Sequence, residues 1–360
     1  MHRLPSRVSL HSQVLELIKD EVARGTWTEW LPGERGLVQR FRVSRNTLRT
    51  ALKTLEAEGW IRSQHGVGYR LLSTKCRNQS PQPNSIGLIV PKPLDVRLPS
   101  STFWINELRG ALFNLNIDLD IHVGANFFSK RCASALPALV SRHRHQCWIL
   151  LLSSEDMQKW FYASRTPCVL AGSCYPGINL PSVDVDRRSQ CRHAAGAMIA
   201  HGHKRIAFLH GSRGLAGDED SEAGFLEAAR TSSVPGVTAE FIAYTSEVGD
   251  IQRNVKKLLS REDRPTALLV ANSHHYLAVI STIWNMRLEI PGDVSVISRD
   301  DELFLTYVIP EPARYTLSAQ SFSDKIISLV RQTIAKENAA HQHLKLIPEF
   351  YKGASLAMRK

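Results

Sequence analysis

Apolar side chains recur along the first seventy residues at helical spacing and then switch to a shorter period. Leu10, Val14, Leu17, Ile18 and Val22 share one face of a helix, and Gly25 follows where such a helix stops. Pro32 precedes a short helix carrying Leu37, Val38 and Phe41. A turn at Arg42-Val43 leads to Ser44, a good N-cap because its hydroxyl can accept a free backbone N–H. Beyond it Leu48, Ala51, Leu52 and Leu55 fall at i, i+3, i+4 and i+7, and Gly59 supplies the stop. The chain then runs Ile61-Arg62-Ser63-Gln64, turns through His65-Gly66-Val67-Gly68 and continues Tyr69-Arg70-Leu71, which predicts a hairpin. Three helices and a hairpin make an α+β winged helix-turn-helix head over residues 1–72.

Residues 73–84, Ser73 to Asn84, are polar and aperiodic with two prolines, and read as an extended linker. From Ser85 onward short apolar runs alternate with helical stretches. Ile86–Val90, Leu119–Val123, Cys147–Leu152, Cys168–Ala171, Arg205–Leu209, Ala267–Val270 and Val294–Ile297 read as strands buried on both faces. Ser189–His201 and Tyr276–Met286 are among the helices between them. The alternation predicts parallel sheets with covering helices. About 270 residues is long for one sheet, so an α/β body of two lobes is expected over 85–360. The first lobe takes about 85–184 and 314–340, the second about 186–312 and 343–360.

Charge sharpens the picture. The 360 residues carry a formal net charge of +11. Residues 1–80 hold 14 Lys and Arg against 7 Asp and Glu, whereas the other 280 hold 31 against 27. A compact basic module suggests a polyanionic partner, because neutralised phosphates release counterions. A solvated charged surface is the commoner fate of charge runs. The pattern of α-helical positions decides between them: Arg45, Asn46, Arg49 and Lys53 lie off the apolar face, at the start of the helix that would enter a major groove. Arg45 and Arg49 suit guanine O6 and N7, Asn46 suits adenine or phosphate, and Ser44 with the first free N–H groups can hold a phosphate.

These residues carry a resemblance. Leu31-Pro32-Gly33-Glu34-Arg35, then Val43-Ser44-Arg45-Asn46-Thr47-Leu48-Arg49, then Leu55 to Ile61 and Gly66-Val67-Gly68, resemble the GntR-family DNA-binding domain over about residues 8–72. The resemblance implies DNA contacts from Arg35, Ser44, Arg45, Asn46, Thr47 and Arg49, and from the wing tip at His65 and Gly66. Gly33 stands where the family usually has Ser, and Leu48 where it has Val.

A second resemblance lies in the body. Val183-Asp184-Val185-Asp186, Gly202-His203-Lys204-Arg205-Ile206-Ala207, Leu269-Val270-Ala271-Asn272, and Ile290-Pro291-Gly292-Asp293-Val294-Ser295-Val296-Ile297 with Asp300-Asp301 resemble the LacI/GalR effector domain. That domain has the periplasmic-binding-protein fold, and a GntR head on such a body is similar to the arabinose-repressor arrangement. The resemblance implies effector contacts from Phe103, Asp220, Ser221, Asn272 and Asp300. The family's sugar-clamping Arg is replaced here by Ser221, and Ser298-Arg299 replace the Gly-aromatic pair before Asp300. The cleft is therefore expected to take a polyol-like or altered carbohydrate, or no small molecule, with Asn272 and Asp300 equally able to cap helices and tie loops.

Other chemistry is set aside. Six cysteines, Cys76, Cys132, Cys147, Cys168, Cys174 and Cys191, include no Cys-x-x-Cys pair. His143/His145, His201/His203, His274-His275 and His341/His343 are close pairs without a His-Glu-x-x-His frame or a Cys partner, so no metal or other cofactor is expected. The 211–217 loop lacks phosphate-loop spacing, and nothing offers an activated nucleophile with a base, so no enzyme is expected. No apolar run spans a bilayer and the start is unlike a secretory leader, so a cytoplasmic protein without membrane partners is expected. Three readings stand: a ligand-responsive repressor, a regulator whose large domain only dimerises, and a carbohydrate-binding module or enzyme with an incidental head. The first two imply a homodimer on a pseudo-palindromic double-stranded operator.

Overall fold

The computed structural model describes residues 10–23, 26–27, 29–64, 68–72, 84–93, 99–130, 132–211, 214–336 and 342–359. The chain divides into two compact units, Met1–Pro83 and Asn84–Lys360.

In the first unit α1 (Leu10–Ala23), α2 (Glu34–Phe41) and α3 (Arg45–Ala57) precede β1 (Ile61–Gln64), which pairs antiparallel with β2 (Gly68–Leu71). Leu37, Leu48, Ala51 and Leu52 are fully buried together with Ile18, and Ile61 and Leu71 close the core from the hairpin. The apolar face expected of α3 is the face that is buried. That of α1 is turned: Leu10 and Leu17 are exposed, whereas Leu15 is buried beside Val14, Ile18 and Val22. Contact with α3 selects the stripe, and the longest apolar repeat in α1 is not the one it uses. A left-handed residue, Arg42, ends α2, and Ser44 caps α3 by accepting the Thr47 N–H at 3.1 Å. Trp30 bridges Arg70, so the hairpin gains a short third neighbour. His65 and Gly66 at the wing tip, Gly25, and linker residues 73–83 lie outside the described residues.

The second unit contains two six-stranded sheets. The first has β3 (Ser85–Val90), β4 (Asp118–Val123), β5 (Cys147–Leu151), β6 (Cys168–Ala171), β7 (Ser182–Val185) and β13 (His343–Leu346) in the order β4-β3-β5-β6-β7-β13. All its pairings are parallel. The second has β8 (Arg205–Gly211), β9 (Thr238–Tyr244), β10 (Ala267–Val270), β11 (Ser295–Ser298), β12 (Ala313–Thr316) and β14 (Glu349–Lys352) in the order β9-β8-β10-β11-β12-β14. Only β14, paired with β12, runs antiparallel. Parallel neighbours require crossovers, and helices supply them: α4 (Pro99–Asn114), α5 (Cys132–Arg142) and α6 (Glu155–Ser164) serve the first sheet. In the second, α8 (Ala216–Arg230), α9 (Val248–Leu259) and α10 (Ser273–Asn285) do so, while α7 (Arg187–Ala200) leads from β7 of the first sheet to β8 of the second. Both sheets place their first strand between the second and third, which sets a crevice at the carboxyl ends of the strands.

The chain crosses between lobes three times, and two expected lobe assignments change. Residues 314–316 belong to the second sheet, because β12 continues the parallel ladder of β11 through Ile297 opposite Ala313. Helix α11 (Ala319–Ile334) then packs Phe322, Ile326, Leu329 and Val330 into the first lobe's core. Residues 343–346 belong to the first sheet, because β13 pairs with β7 through His343 opposite Ser182. These short strands, of which only β13 is at a sheet edge, carry polar residues, so apolar runs do not reveal them. β4, expected to be buried on both faces, is instead an edge strand with exposed positions. Gly224 sits where α7 and α8 touch, and a Cβ there would collide with the Arg188 carbonyl. No described helix is long and apolar enough to cross a membrane.

Candidate functional site

Two surfaces gather the residues singled out by sequence. The first is the outer side of α3. With Leu48, Ala51, Leu52 and Leu55 turned into the core, Arg45, Asn46, Arg49, Thr50 and Lys53 are left exposed. Ser44 Oγ lies 2.8 Å from Thr47 Oγ1 as well as accepting the Thr47 N–H, so both side chains are spent on the cap and fix the helix start. Arg49 Nε donates to Glu34 Oε2 at 3.0 Å, and the Tyr69 hydroxyl donates to Glu34 Oε1 at 3.4 Å. Glu34 thereby holds α2, α3 and the wing together beside this surface. Arg35, next on α2, is exposed. For Arg35 and Arg45 no ion pair occurs among the described residues.

The second is the crevice between the lobes, a cavity of about 950 Å³. That is at the upper end of the range for small-molecule sites. From the first lobe Phe103 and Trp104 of α4 line it, with Ser153, Ser173 and Asp184 at strand ends. Phe103 is half exposed, and Trp104 is buried against Phe322 with ring centroids 5.1 Å apart. From the second lobe come Arg187, Asp218, Ser221, Asn272, Arg299 and Asp300.

An ionic network occupies the second lobe's side. Arg187 Nη1 donates to Asp300 Oδ1 at 2.9 Å and to Gln190 Oε1 at 3.1 Å, while Gln190 donates to the Arg299 carbonyl at 2.7 Å. Burial acts to raise the Asp300 carboxyl, but Arg187 and Arg299 outweigh it and hold Asp300 below the usual carboxylate range. Arg299 Nη1 donates to Ser221 Oγ at 3.2 Å, and Ser221 in turn donates to the Gly217 carbonyl at 2.9 Å. Glu302 behaves oppositely. Burial, reinforced by Asp300 and Asp301, pushes its carboxyl up to about 7. Among the described residues, Arg299 Nε and Glu302 Oε1 are buried without a hydrogen-bond partner, which marks them as groups for which a bound molecule or water is the remaining partner.

The structure thus brings Phe103, Ser221, Asn272 and Asp300 to one cavity, and leaves Asp220 out. Asp220 accepts from Lys345 Nζ at 2.9 Å, a salt bridge from α8 to β13 that joins the two lobes away from the cavity lining. Asn272 is a helix cap: its Oδ1 accepts the His274 and His275 N–H groups at 2.9 and 3.1 Å. Arg187, Arg299 and Glu302 are missed by sequence reasoning. The signal for Arg299 was present, because two departures from the family pattern, Ser221 and Arg299, are one interaction in space. Arg187 and Glu302 carry no motif, and only the fold delivers them to the crevice.

Comparison with known proteins agrees with this architecture. Residues 10–71 match the model of the bacterial regulatory proteins of the gntR family, and residues 195–356 that of a periplasmic binding protein-like domain. The arabinose metabolism transcriptional repressor of Geobacillus stearothermophilus is 25% identical over 314 residues, 84% of each chain. The crystal structure of a LacI family transcriptional regulator from Bifidobacterium animalis subsp. lactis matches with a TM-score of 0.67 at 19% identity, covering 78% of this chain and 100% of that one. A cellobiose complex of the transcriptional regulator CelR matches with a TM-score of 0.66 at 17% identity, covering 97% and 100%.

Proposed function

We propose that this chain, a transcriptional regulator that joins a GntR-family DNA-binding domain to a periplasmic binding protein-like domain, represses carbohydrate-related genes and is relieved by a small carbohydrate or polyol in its crevice. The observation that carries the sensing half is the cavity itself. An aromatic pair, Phe103 and Trp104, lines it from one lobe, and Arg187, Arg299 and Asp300 line it from the other. Apolar ring faces opposed to a few fixed hydrogen-bonding groups are what a polyhydroxyl ring needs. Arg299 takes over the donor role vacated at Ser221, and its Nε, buried without a hydrogen-bond partner, would with Glu302 Oε1 complete the contacts.

For the head, the reading rests on exposed Arg45, Asn46 and Arg49 at the N-terminal end of α3 with Arg35 beside them, giving base contacts from α3 and phosphate contacts from Arg35 and the helix start. A homodimer on a pseudo-palindromic operator is part of the proposal, as is a wing contact from His65 and Gly66. A ligand with different affinities for the open and closed lobes shifts their populations, and that difference is what reaches the DNA.

The test is selection of bound duplexes from a random pool, repeated with a panel of sugars and sugar acids. A two-half-site consensus that weakens with one ligand supports the proposal; duplex binding indifferent to the whole panel, with no ligand-dependent melting shift, overturns its sensing half. A second reading, a regulator whose body only dimerises, is favoured by Ser221 Oγ and Asn272 Oδ1 being engaged in internal bonds.

A further inference from the structure

We propose that His122, His143 and His145 form a transition-metal site on the first lobe, taking a zinc-class divalent ion through three imidazoles with a fourth position open. His122 projects from edge strand β4, while His143 and His145 come from the connection between α5 and β5. Their ligating nitrogens all lie within 4.8 Å of one another. His122 Nε2 and His145 Nε2 are 2.8 Å apart, and the His122 ring centroid is 4.6 Å from that of His143. Close pairing of two histidines in sequence did not suggest an ion, because the third ligand lies 23 residues before His145 and meets it through the pairing of β4 and β5 with β3.

The surroundings are arranged around the ring that is most enclosed. His145 Nδ1 is 2.8 Å from Ser85 Oγ and 3.8 Å from Asp120 Oδ2. A proton on Nδ1 towards those oxygens leaves the lone pair on Nε2, on the side of His122, which is the outer-shell arrangement that orients metal-binding histidines. Gly87 of β3 makes the space: a Cβ there would stand 2.5 Å from His145 Cδ2 and 2.6 Å from Trp148 Cε3. A glycine in the middle of a buried strand otherwise weakens it. Three imidazoles select a borderline ion such as zinc over magnesium or calcium, and three protein ligands leave one position for water. None of the three lines the interlobe cavity, so this site is separate from the proposed effector site and does not depend on it.

The test uses untagged, chelator-stripped full-length protein titrated with Co²⁺, followed by absorption, and then with Zn²⁺ in competition. The expected result is one equivalent per chain with the intense visible bands of four-coordinate cobalt, displaced by zinc. Zinc also raises the melting temperature of the second unit. His122→Gln and His143→Gln each weaken binding by more than about 100-fold and Ser85→Ala by about 10-fold, while His201→Gln leaves it unchanged. Far-UV circular dichroism checks that the variants fold, and His143→Gln, on a partly exposed connection, gives a folded variant where His145→Gln does not. Absence of saturable binding below about 100 μM, or full binding retained in a folded His122→Gln/His143→Gln double variant, overturns the site.

Discussion

On α3 the arginines stand in water, Arg45 without an ion pair among the described residues and Arg49 paired with Glu34. In the crevice Arg187 and Arg299 are largely enclosed, tied to Asp300, Gln190 and Ser221. Both surfaces present guanidinium groups, yet their energetics differ. An exposed cation with no internal partner costs the fold little and keeps its charge for an external polyanion. An enclosed one must be paired where it stands, and so gives a ligand fixed geometry instead of net charge. Removing a head arginine is therefore a loss of binding, and removing a crevice arginine is a loss of stability as well.

The broadest attack on that contrast is Leu48→Ala in the fully buried core of α3. It should cost about 2–5 kcal/mol of head stability and abolish duplex binding, while calorimetric melting and ligand titration of the body stay as in the unaltered chain. Loss of ligand binding in that variant would show that the two units do not fold separately. Arg187→Ala leaves Asp300 partnered only by Arg299, and should lower the body's stability by about 3 kcal/mol, read by urea denaturation. Unchanged stability there would break the comparison outright. Arg45→Ala should weaken operator binding by about 1–3 kcal/mol and relax base choice at one position with the melting temperature untouched; wild-type affinity would sink the placing of α3 in the groove.

Acid titration sharpens the contrast further. Glu302 holds its proton more tightly folded than unfolded, since its carboxyl rises to about 7 from an ordinary value near 4.5. The folded state then binds more protons between about pH 5 and 7, and stability falls as pH rises through that window. Glu302→Gln should remove this slope and stabilise the body by about 1–2 kcal/mol at pH 8, measured by denaturation at several pH values; the same slope in the variant would remove Glu302 as its source. The smallest effect is expected from Lys53→Ala. It should leave base preference alone and reduce the slope of log affinity against log salt by about 1.

The head was legible because its elements are local. The i, i+3, i+4, i+7 repeat of Leu48 to Leu55, the Ser44 cap and the outward arginines are fixed by helix geometry within thirteen residues. Even so, α1 buries Leu15 where Leu17 was expected, since the choice belongs to its neighbour. In the body, parallel strands buried on both faces announced themselves, whereas β12, β13 and β14, short and partly polar, did not. Asp220 shows the limit at the site: it is adjacent to Ser221, but successive helical positions point apart, so it meets Lys345 outside the cavity.

What the sequence determined alone was everything carried by short-range periodicity and by motif: the winged head, its polar face, and a body of parallel βα units. Tertiary structure decided which lobe receives each late strand, that Arg299 reaches Ser221, that Arg187 clamps Asp300, and that His122 joins His143 and His145. Each is a contact between residues brought together by strand order, across 78 residues in the first case and 113 in the second. Side-chain spacing along a chain encodes which face a residue occupies, but only the closing of sheets and lobes sets what that face meets.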